Sequence, residues 1–564
     1  MPHLVSADWL ILLIIGFFVF SAGSSLKTFA TGNREYLEGG RVFSGWLCGL
    51  ALAAAGLGVQ SPFLLGIGAR WGFWGLAGTV LSGVVGLALL GRFFVPAYYG
   101  SPARTLPEFV AQRFGGKARA VAALLVLASA IAGAAWVLLV LARIFVATHL
   151  LEEPLHATGM GARGIFLAAM AAPSLLVLAY VLIGGLGGSI YNHAIAFFLF
   201  VAGAFPVALL SLKQVGWSGL MPVAAGSSAA SGGSGVALAV AASLVLGMVF
   251  WCADFRVVQM VLAAKDARSA RRAPFIAAAA WLVLPLLIIV PAIAALAMPT
   301  PQTITFVRND NGVIYHEINV VSAADENGRG LVPAAIDPAT GKPLRGADGR
   351  TLLNDELAAP KMLTQLLPAG LLGLGLAALV ACAMSGGAAS LTAFSAVFVY
   401  DIYQARLRKS ASEGNLLAAG RWAAAAAMAL AFGLACAAYF WNWKLDAAVL
   451  VLAGLHLPLL VVILLAIFWK RDPAALDKPP AASRQVLPDD LRIYAGILFT
   501  LVGTVLAAFG LGMRNHPEAY AGSLGINANL WWGLLVFVFG IAVLMLGRQG
   551  QMQIEKSKAA KKKK

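Results

Sequence analysis

From Ala381 the chain reads Ala-Cys382-Ala-Met-Ser385-Gly386-Gly-Ala-Ala-Ser390-Leu-Thr392-Ala-Phe-Ser395, closing with Tyr400-Asp401-Ile-Tyr403. Four hydroxyls on small-residue backbone, within a run otherwise apolar, are oxygen donors without charge. At membrane depth such groups mark a route or a site for a solute. A second constellation is Ala53-Ala-Ala-Gly56-Leu-Gly58-Val59-Gln60-Ser61-Pro62, with Phe63 following. The glycines loosen the helical ladder, and Pro62 cannot donate to the carbonyl one turn earlier, so carbonyls near Gly58 are freed for another partner. A third is Leu246-Gly247-Met-Val-Phe250-Trp251-Cys-Ala-Asp254-Phe-Arg256, where an acid and a base enter an apolar run. Either charge alone costs roughly 3 kcal/mol at a helix centre. Two residues apart, Asp254 and Arg256 project about 200° from each other on a regular helix. The expected arrangement therefore has Asp254 facing a cavity and Arg256 reaching the inner interface or another partner.

Membrane depth follows from composition: 60% hydrophobic and 12% charged residues over a length of 564, with mean hydropathy +0.83, a balance foreign to soluble domains. Thirteen apolar runs long enough to cross about 30 Å as helices recur. They are 8–25, 43–68, 72–94, 121–147, 165–183, 191–212, 236–264, 274–298, 366–403, 416–440, 446–469, 493–513 and 530–546. A β-barrel would instead show alternation over about ten residues. The three constellations fall in the second, seventh and ninth runs. Interrupted helices five spans apart are what an inverted-repeat transporter needs.

Lys and Arg gather in alternate loops, among them Arg34 and Arg41, Arg104 to Arg119, Lys265 to Arg272, Arg406 to Arg421 and Lys470 to Arg492, and on the same side in the tail Lys556 to Lys564. The positive-inside rule puts these in the cytoplasm and, with an odd span count, the N-terminus outside. The first run lacks a basic n-region and a clear cleavage site, so it reads as a retained span. Net charge of +16 is absorbed by this topology and by anionic headgroups of the lipid bilayer, leaving no case for nucleic acid. Cys48, Cys252, Cys382 and Cys436 show no metal or disulfide spacing. No GxSxG, Walker loop or HExxH occurs, which argues against an enzyme. The stretch 216–235 reads as a flexible Gly/Ser linker and 299–361 as a turn-rich external loop, loosely ordered or forming a small hairpin cap. His193 and His456 read as packing residues, and Trp441, Trp443, Trp531 and Trp532 as interfacial anchors.

Further pieces complete a pattern: Glu38-Gly-Gly-Arg41, Thr105-Leu-Pro-Glu108-Phe with Arg113-Phe-Gly115, and Gly184-Gly-Leu-Gly-Gly-Ser-Ile-Tyr191-Asn192. Gln259 with Ala263-Ala-Lys265-Asp266, Leu367-Pro-Ala-Gly, Met384-Ser385 and Asp401-Ile-Tyr403 follow. In this order and spacing the sequence resembles the bacterial sodium:solute symporters of sugars, proline, pantothenate and carboxylates. The resemblance implies an all-α LeuT-like core of two inverted five-helix repeats, 43–212 and 236–469. An extra helix and cytoplasmic loop (1–42) precede it, a linker (213–235) divides it, and two further helices with a basic tail (470–564) follow. It implies sodium-coupled uptake of a small polar organic solute across the bacterial cytoplasmic (inner) membrane, with no organic cofactor. Sodium would be held by the carbonyls of Gly56, Val59 and Cys382, the Ser385 hydroxyl and position 386, where Gly386 lacks the hydroxyl of better-studied members. The solute would sit by Gln60, Ser61, Phe63, Phe250, Trp251 and Asp254. Sodium–sugar members place a Lys where this chain has Trp281 and a gate Tyr where it has Phe250, so sugar specificity is not implied. The departures keep open a proton-coupled or uncoupled transporter of the same fold, or a non-transporting structural or sensory subunit.

Overall fold

A computed structural model describes residues 4–148, 161–229, 232–298, 303–308, 314–319, 328–334, 342–345, 351–353, 358–441, 443, 445–468, 487, 489–520 and 523–562, with side chains at 58–72 outside the description. Helices dominate it. In chain order they are α1 (Ser6–Ser24), α2 (Asn33–Glu38), α3 (Gly45–Leu89), α4 (Val95–Gly100), α5 (Leu106–Thr148), α6 (Ala162–Ala229), α7 (Gly232–Met248) and α8 (Phe255–Leu262). After these come α9 (Ala267–Trp281), α10 (Leu284–Ala297), α11 (Ala358–Leu366), α12 (Leu371–Val397), α13 (Glu413–Phe440), α14 (Leu445–Phe468), α15 (Leu491–Gly512) and α16 (Ala528–Lys562).

Among the described residues ten helices are long and apolar enough to cross a membrane, or eleven with the bent pair Ala237–Ala253 and Phe255–Leu262. Two of the thirteen runs merge in α6, and the second run is described only over Gly45–Leu57 in that count. At 68 residues α6 would be about 100 Å long if straight, more than three bilayer cores. Gly185, at φ 56, ψ −144, divides it between the fifth and sixth runs. No side chain fits there, because a Cβ would meet the backbone of Tyr36. Helical assignment is also continuous across the second and third runs in α3, and the expected interruption at Gly58 to Pro62 lies outside the residues whose side chains are described.

The stretch after Gly216 departs from its reading as a flexible linker. Gly216 kinks the chain at φ 70, and helix then resumes to Ala229. Leu220 and Ala224, one turn apart, are buried, and this apolar contact outweighs the helix-breaking composition. In the stretch read from the sequence as an external loop, β1 (Thr303–Arg308) pairs antiparallel with β2 (Ile314–Asn319), and β3 (Gly328–Arg329) with β4 (Val332–Pro333). The second hairpin docks on the end of α10 through the Leu331 amide, which donates to the Ala295 carbonyl at 2.8 Å.

The long helices pack as one bundle: α12 lies against α3, α5 and α6, α14 against α5, and α15 pairs with α16. The extra helix α1 is bonded into this bundle. Its Asp8, fully buried, accepts from the amides of Gly370 (2.8 Å) and Gly373 (2.5 Å), capping the start of α12. Helix starts leave unpaired amides, and a carboxylate there also meets the positive end of the helix dipole.

Candidate functional site

The hydroxyl-bearing face of α12 is buried. Ser385 is 1% exposed and donates to the Cys382 carbonyl at 2.8 Å, which places two of the expected cation ligands side by side. The Gly386 carbonyl accepts from Ser390 at 3.0 Å, and Tyr180 donates to the Met384 carbonyl at 3.3 Å. Across from α12, α3 brings Gly56 into a tight setting. A Cβ at Gly56 would collide with the rings of Trp281 and Trp251, which meet edge to face at 5.4 Å. Those indoles occupy glycine seats: Trp281 over Gly83 and Trp251 over Gly86. Trp251 is thus packed into α3, while Phe250 beside it is half-buried. Val59, Gln60, Ser61 and Phe63 have side chains outside the described residues.

The seventh span is discontinuous. A π-helical turn, Val249–Ala253, follows α7; Asp254 is extended at φ −80, ψ 112; and α8 departs at a bend of 49°. The side chains supply the bonds that the break removes. Tyr98 donates to the freed Cys252 carbonyl at 2.7 Å, and Asp254 caps α8 by accepting from the Arg256 amide at 2.9 Å.

That break overturns the expected separation of Asp254 and Arg256. The 200° argument holds for a regular helix, and Asp254 is not helical. Arg256 folds back so that Nε lies 2.9 Å from both carboxylate oxygens and Nη2 2.5 Å from Oδ2. Both residues are buried. The guanidinium reaches on to Gly133 of α5, where any Cβ would strike Nη1. His456 of α14 adds Nε2 at 3.5 Å from Asp254 Oδ1, a contact that periodicity and motif spacing do not reveal because the two lie 202 residues apart. Gln259, one turn along α8, ties it to α12 by donating to the Ala389 carbonyl (2.9 Å) and Thr392 Oγ1 (3.1 Å).

The sequence motifs meet on the side assigned to the cytoplasm. Asp401 accepts from Thr105 (2.8 Å) and Arg119 (2.6 Å), and Arg119 also bridges to Glu108 at 2.9 Å. Arg104 pairs with Glu108 at 2.6 Å and lies over the Tyr400 ring at 3.8 Å, while Tyr400 donates to Glu38 at 2.8 Å. Burial pushes the Glu38 carboxyl above its ordinary value, against the Tyr400 bond and the pull of Arg104, Arg34 and Arg41. Glu38 opens the Gly39-Gly40-Arg41 run, all three at positive φ, which turns the chain into α3. Phe43 then exchanges backbone bonds with Ala263 (3.2 Å) and Lys265 (2.8 Å), so the entry to α3 is tied to the exit of the interrupted seventh span.

A model of the sodium:solute symporter family matches residues 36–336 and 328–475. The chain belongs to the sodium:solute symporter family. As a member of this family it is a secondary transporter, a sodium-coupled symporter and not an enzyme. Its relatives include a sodium/glucose cotransporter of Vibrio parahaemolyticus, 24% identical over 507 residues, 84% of this chain and 83% of that protein. Sodium/myo-inositol cotransporter 2 of Sus scrofa is 27% identical over 74% of this chain, which spans only 59% of that relative's length. A solved structure of a substrate-bound, outward-open Na⁺-coupled sialic acid symporter aligns with TM-score 0.63 at 18% identity, over 96% of this chain and 98% of that one. The symporter fold is the LeuT-like one.

Proposed function

We propose that this symporter imports a small polar organic solute with Na⁺, the ion lying between α3 and α12. The observation that carries the reading is the buried Ser385–Cys382 pair, a hydroxyl and a carbonyl 2.8 Å apart on a helix packed against α3. Sodium is a hard cation that takes oxygen ligands, and hydroxyls with backbone carbonyls provide them without a buried counter-charge. Gly56 and Val59 would give carbonyls from α3; Cys382 and Ser385 give a carbonyl and a hydroxyl from α12. Gly386 offers no side-chain oxygen, so the ion is held by fewer ligands and more weakly.

The solute would approach the interrupted segments: Gln60, Ser61 and Phe63 on α3, with Phe250, Trp251 and Asp254 at the seventh span. Trp281 in a glycine seat, where sugar-transporting members carry a Lys, argues for a solute other than the sugars of the named relatives. Transport would follow from rocking of one helical group against the other around the midplane, driven by the sodium gradient. The repeats would be 43–212 and 236–469, in a bacterial inner membrane, with the N-terminus outside and the basic tail in the cytoplasm.

The test is thermal stability of the purified protein in sodium against choline chloride at equal ionic strength, since a ligand of the folded state raises its melting point. Sodium is expected to stabilise, and Ser385→Ala to shift half-maximal stabilisation to a sodium concentration at least about tenfold higher, the loss of roughly 1.4 kcal/mol in binding. Identical melting in both salts across the solubility range of sodium chloride would sink the cation assignment.

A further inference from the structure

His456 holds its ring between two acceptors. Nδ1 lies 2.7 Å from the Leu452 carbonyl. A carbonyl only accepts, so Nδ1 carries the hydrogen, and Nε2 is left as the atom that gains or loses a proton. Nε2 faces Asp254 Oδ1 at 3.5 Å and has no hydrogen-bond partner among the described residues. Without a proton it directs a lone pair at a buried carboxylate; with one it completes an ion pair.

The surrounding charge is simple. Asp254 and Arg256 cancel, so the cluster is neutral with a neutral ring and carries a single positive charge with an imidazolium. Among the residues whose side chains are described, the helices around it add no compensating charge: α3 has none, nor α5 between Arg119 and Arg143, nor α12 before Asp401, nor α14, nor α7 with its π-helical turn. Two residues before Asp254, Cys252 donates to the Gly86 carbonyl, and Tyr98 donates to the Cys252 carbonyl, so both are engaged with backbone. Net charge in a low-dielectric site opposes protonation, and the carboxylate contact favours it. Proton occupancy and the separation of ring and carboxylate are therefore linked. That separation spans two elements, since Asp254 stands at the break of the seventh span and His456 on α14, which packs on α5 and on the π-helical turn.

We propose that His456 Nε2, shared with Asp254, is a proton-binding site of this symporter, distinct from the cation position on α12, which a proton occupies or leaves as the broken span moves against α14. It does not depend on the sodium assignment.

The experiment is solid-state ¹⁵N NMR of the full-length protein, histidine-labelled and reconstituted in lipid, titrated from about pH 5 to 9, the range in which histidine changes charge. The chain has 7 histidines, and the His456 signal is the one missing from both His456→Gln and His456→Asn. The expected result is an Nδ1 that stays protonated throughout and an Nε2 that loses its proton within that range, with a midpoint that Asp254→Asn lowers by at least about one pH unit. The wild-type titration needs no stable variant beyond the one that assigns the signal. An Nε2 that keeps one protonation state from end to end, or a midpoint that Asp254→Asn leaves in place, overturns the proposal. Sodium-dependent melting of His456→Gln, measured on the same samples, is expected to match wild type. A failure of sodium to stabilise either protein would remove the cation reading and leave the proton site to stand on the NMR titration.

Discussion

Replacing Arg256 by Met isolates the cost of a buried, unpaired carboxylate. The wild-type pair makes three side-chain contacts of 2.5–2.9 Å with both residues buried. Charge-assisted bonds of this kind are roughly twice as strong as neutral ones, and removing one partner of a buried pair costs about 3–5 kcal/mol, mostly through the charge left behind. His456, already 3.5 Å from Asp254, is placed to take up part of the charge, so the lower end is expected: about 3 kcal/mol for Arg256→Met. Asp254→Ser keeps an oxygen to cap α8 but strands the guanidinium against Gly133, with a similar cost. The double variant Asp254→Ser/Arg256→Met removes both charges and retains the cap, so its loss should be about 1 kcal/mol. The coupling energy is then about 5 kcal/mol and opposite in sign to the single losses. The assay is equilibrium unfolding of the four proteins in one lipid–detergent mixture. A double variant destabilised by the sum of the single losses would refute the reasoning, since it would mean that the two side chains do not hold each other.

Gly386→Ser restores a hydroxyl beside Ser385, and half-maximal stabilisation by sodium is expected at a concentration several-fold lower; an unchanged or higher concentration in a folded protein would place the ion elsewhere. For Glu38, burial raises the carboxyl above its unfolded value, so the folded state binds more protons and stability falls as pH rises from the unfolded value through the folded one. Glu38→Gln, whose amide oxygen can still accept from Tyr400, should flatten that fall and melt higher than wild type at pH 8, with the gap closing towards pH 4; a gap independent of pH would count against the buried carboxylate. Asp8→Ala strips two amides at the start of α12 of their acceptor and should cost about 1–2 kcal/mol in the same unfolding assay, with Asp8→Asn losing less; no loss in either would show the cap to be dispensable.

The spans, the interruption near Asp254 and the family were legible because each rests on local pattern: apolar length, glycines with buried charge, and short motifs in a fixed order. Gly185 shows where such legibility stops, since hydropathy separates the fifth and sixth runs but gives no sign that the joint is one positive-φ glycine against Tyr36. The pairing of Asp254 with Arg256 was misread because the angular argument assumed a helix through the residue that ends one. His456 could not be joined to Asp254 at all: a histidine 202 residues away carries no local mark of its partner, and only packing of α14 on the π-helical turn brings it near. Composition likewise hid the helix after Gly216, where two small apolar contacts outweigh a run of Gly and Ser.

The bond from Asp8 to the first amides of α12 would make bilayer thickness an input to the helix proposed to hold the cation. A single span outside the repeat core is free to tilt with the hydrocarbon depth around it, at a cost of fractions of a kcal/mol per Å of mismatch. Here that tilt is anchored by a buried carboxylate to the helix that carries Cys382 and Ser385 three to four turns beyond the cap. Lipid chain length thus becomes a variable to hold fixed whenever sodium affinities of this symporter are compared between preparations.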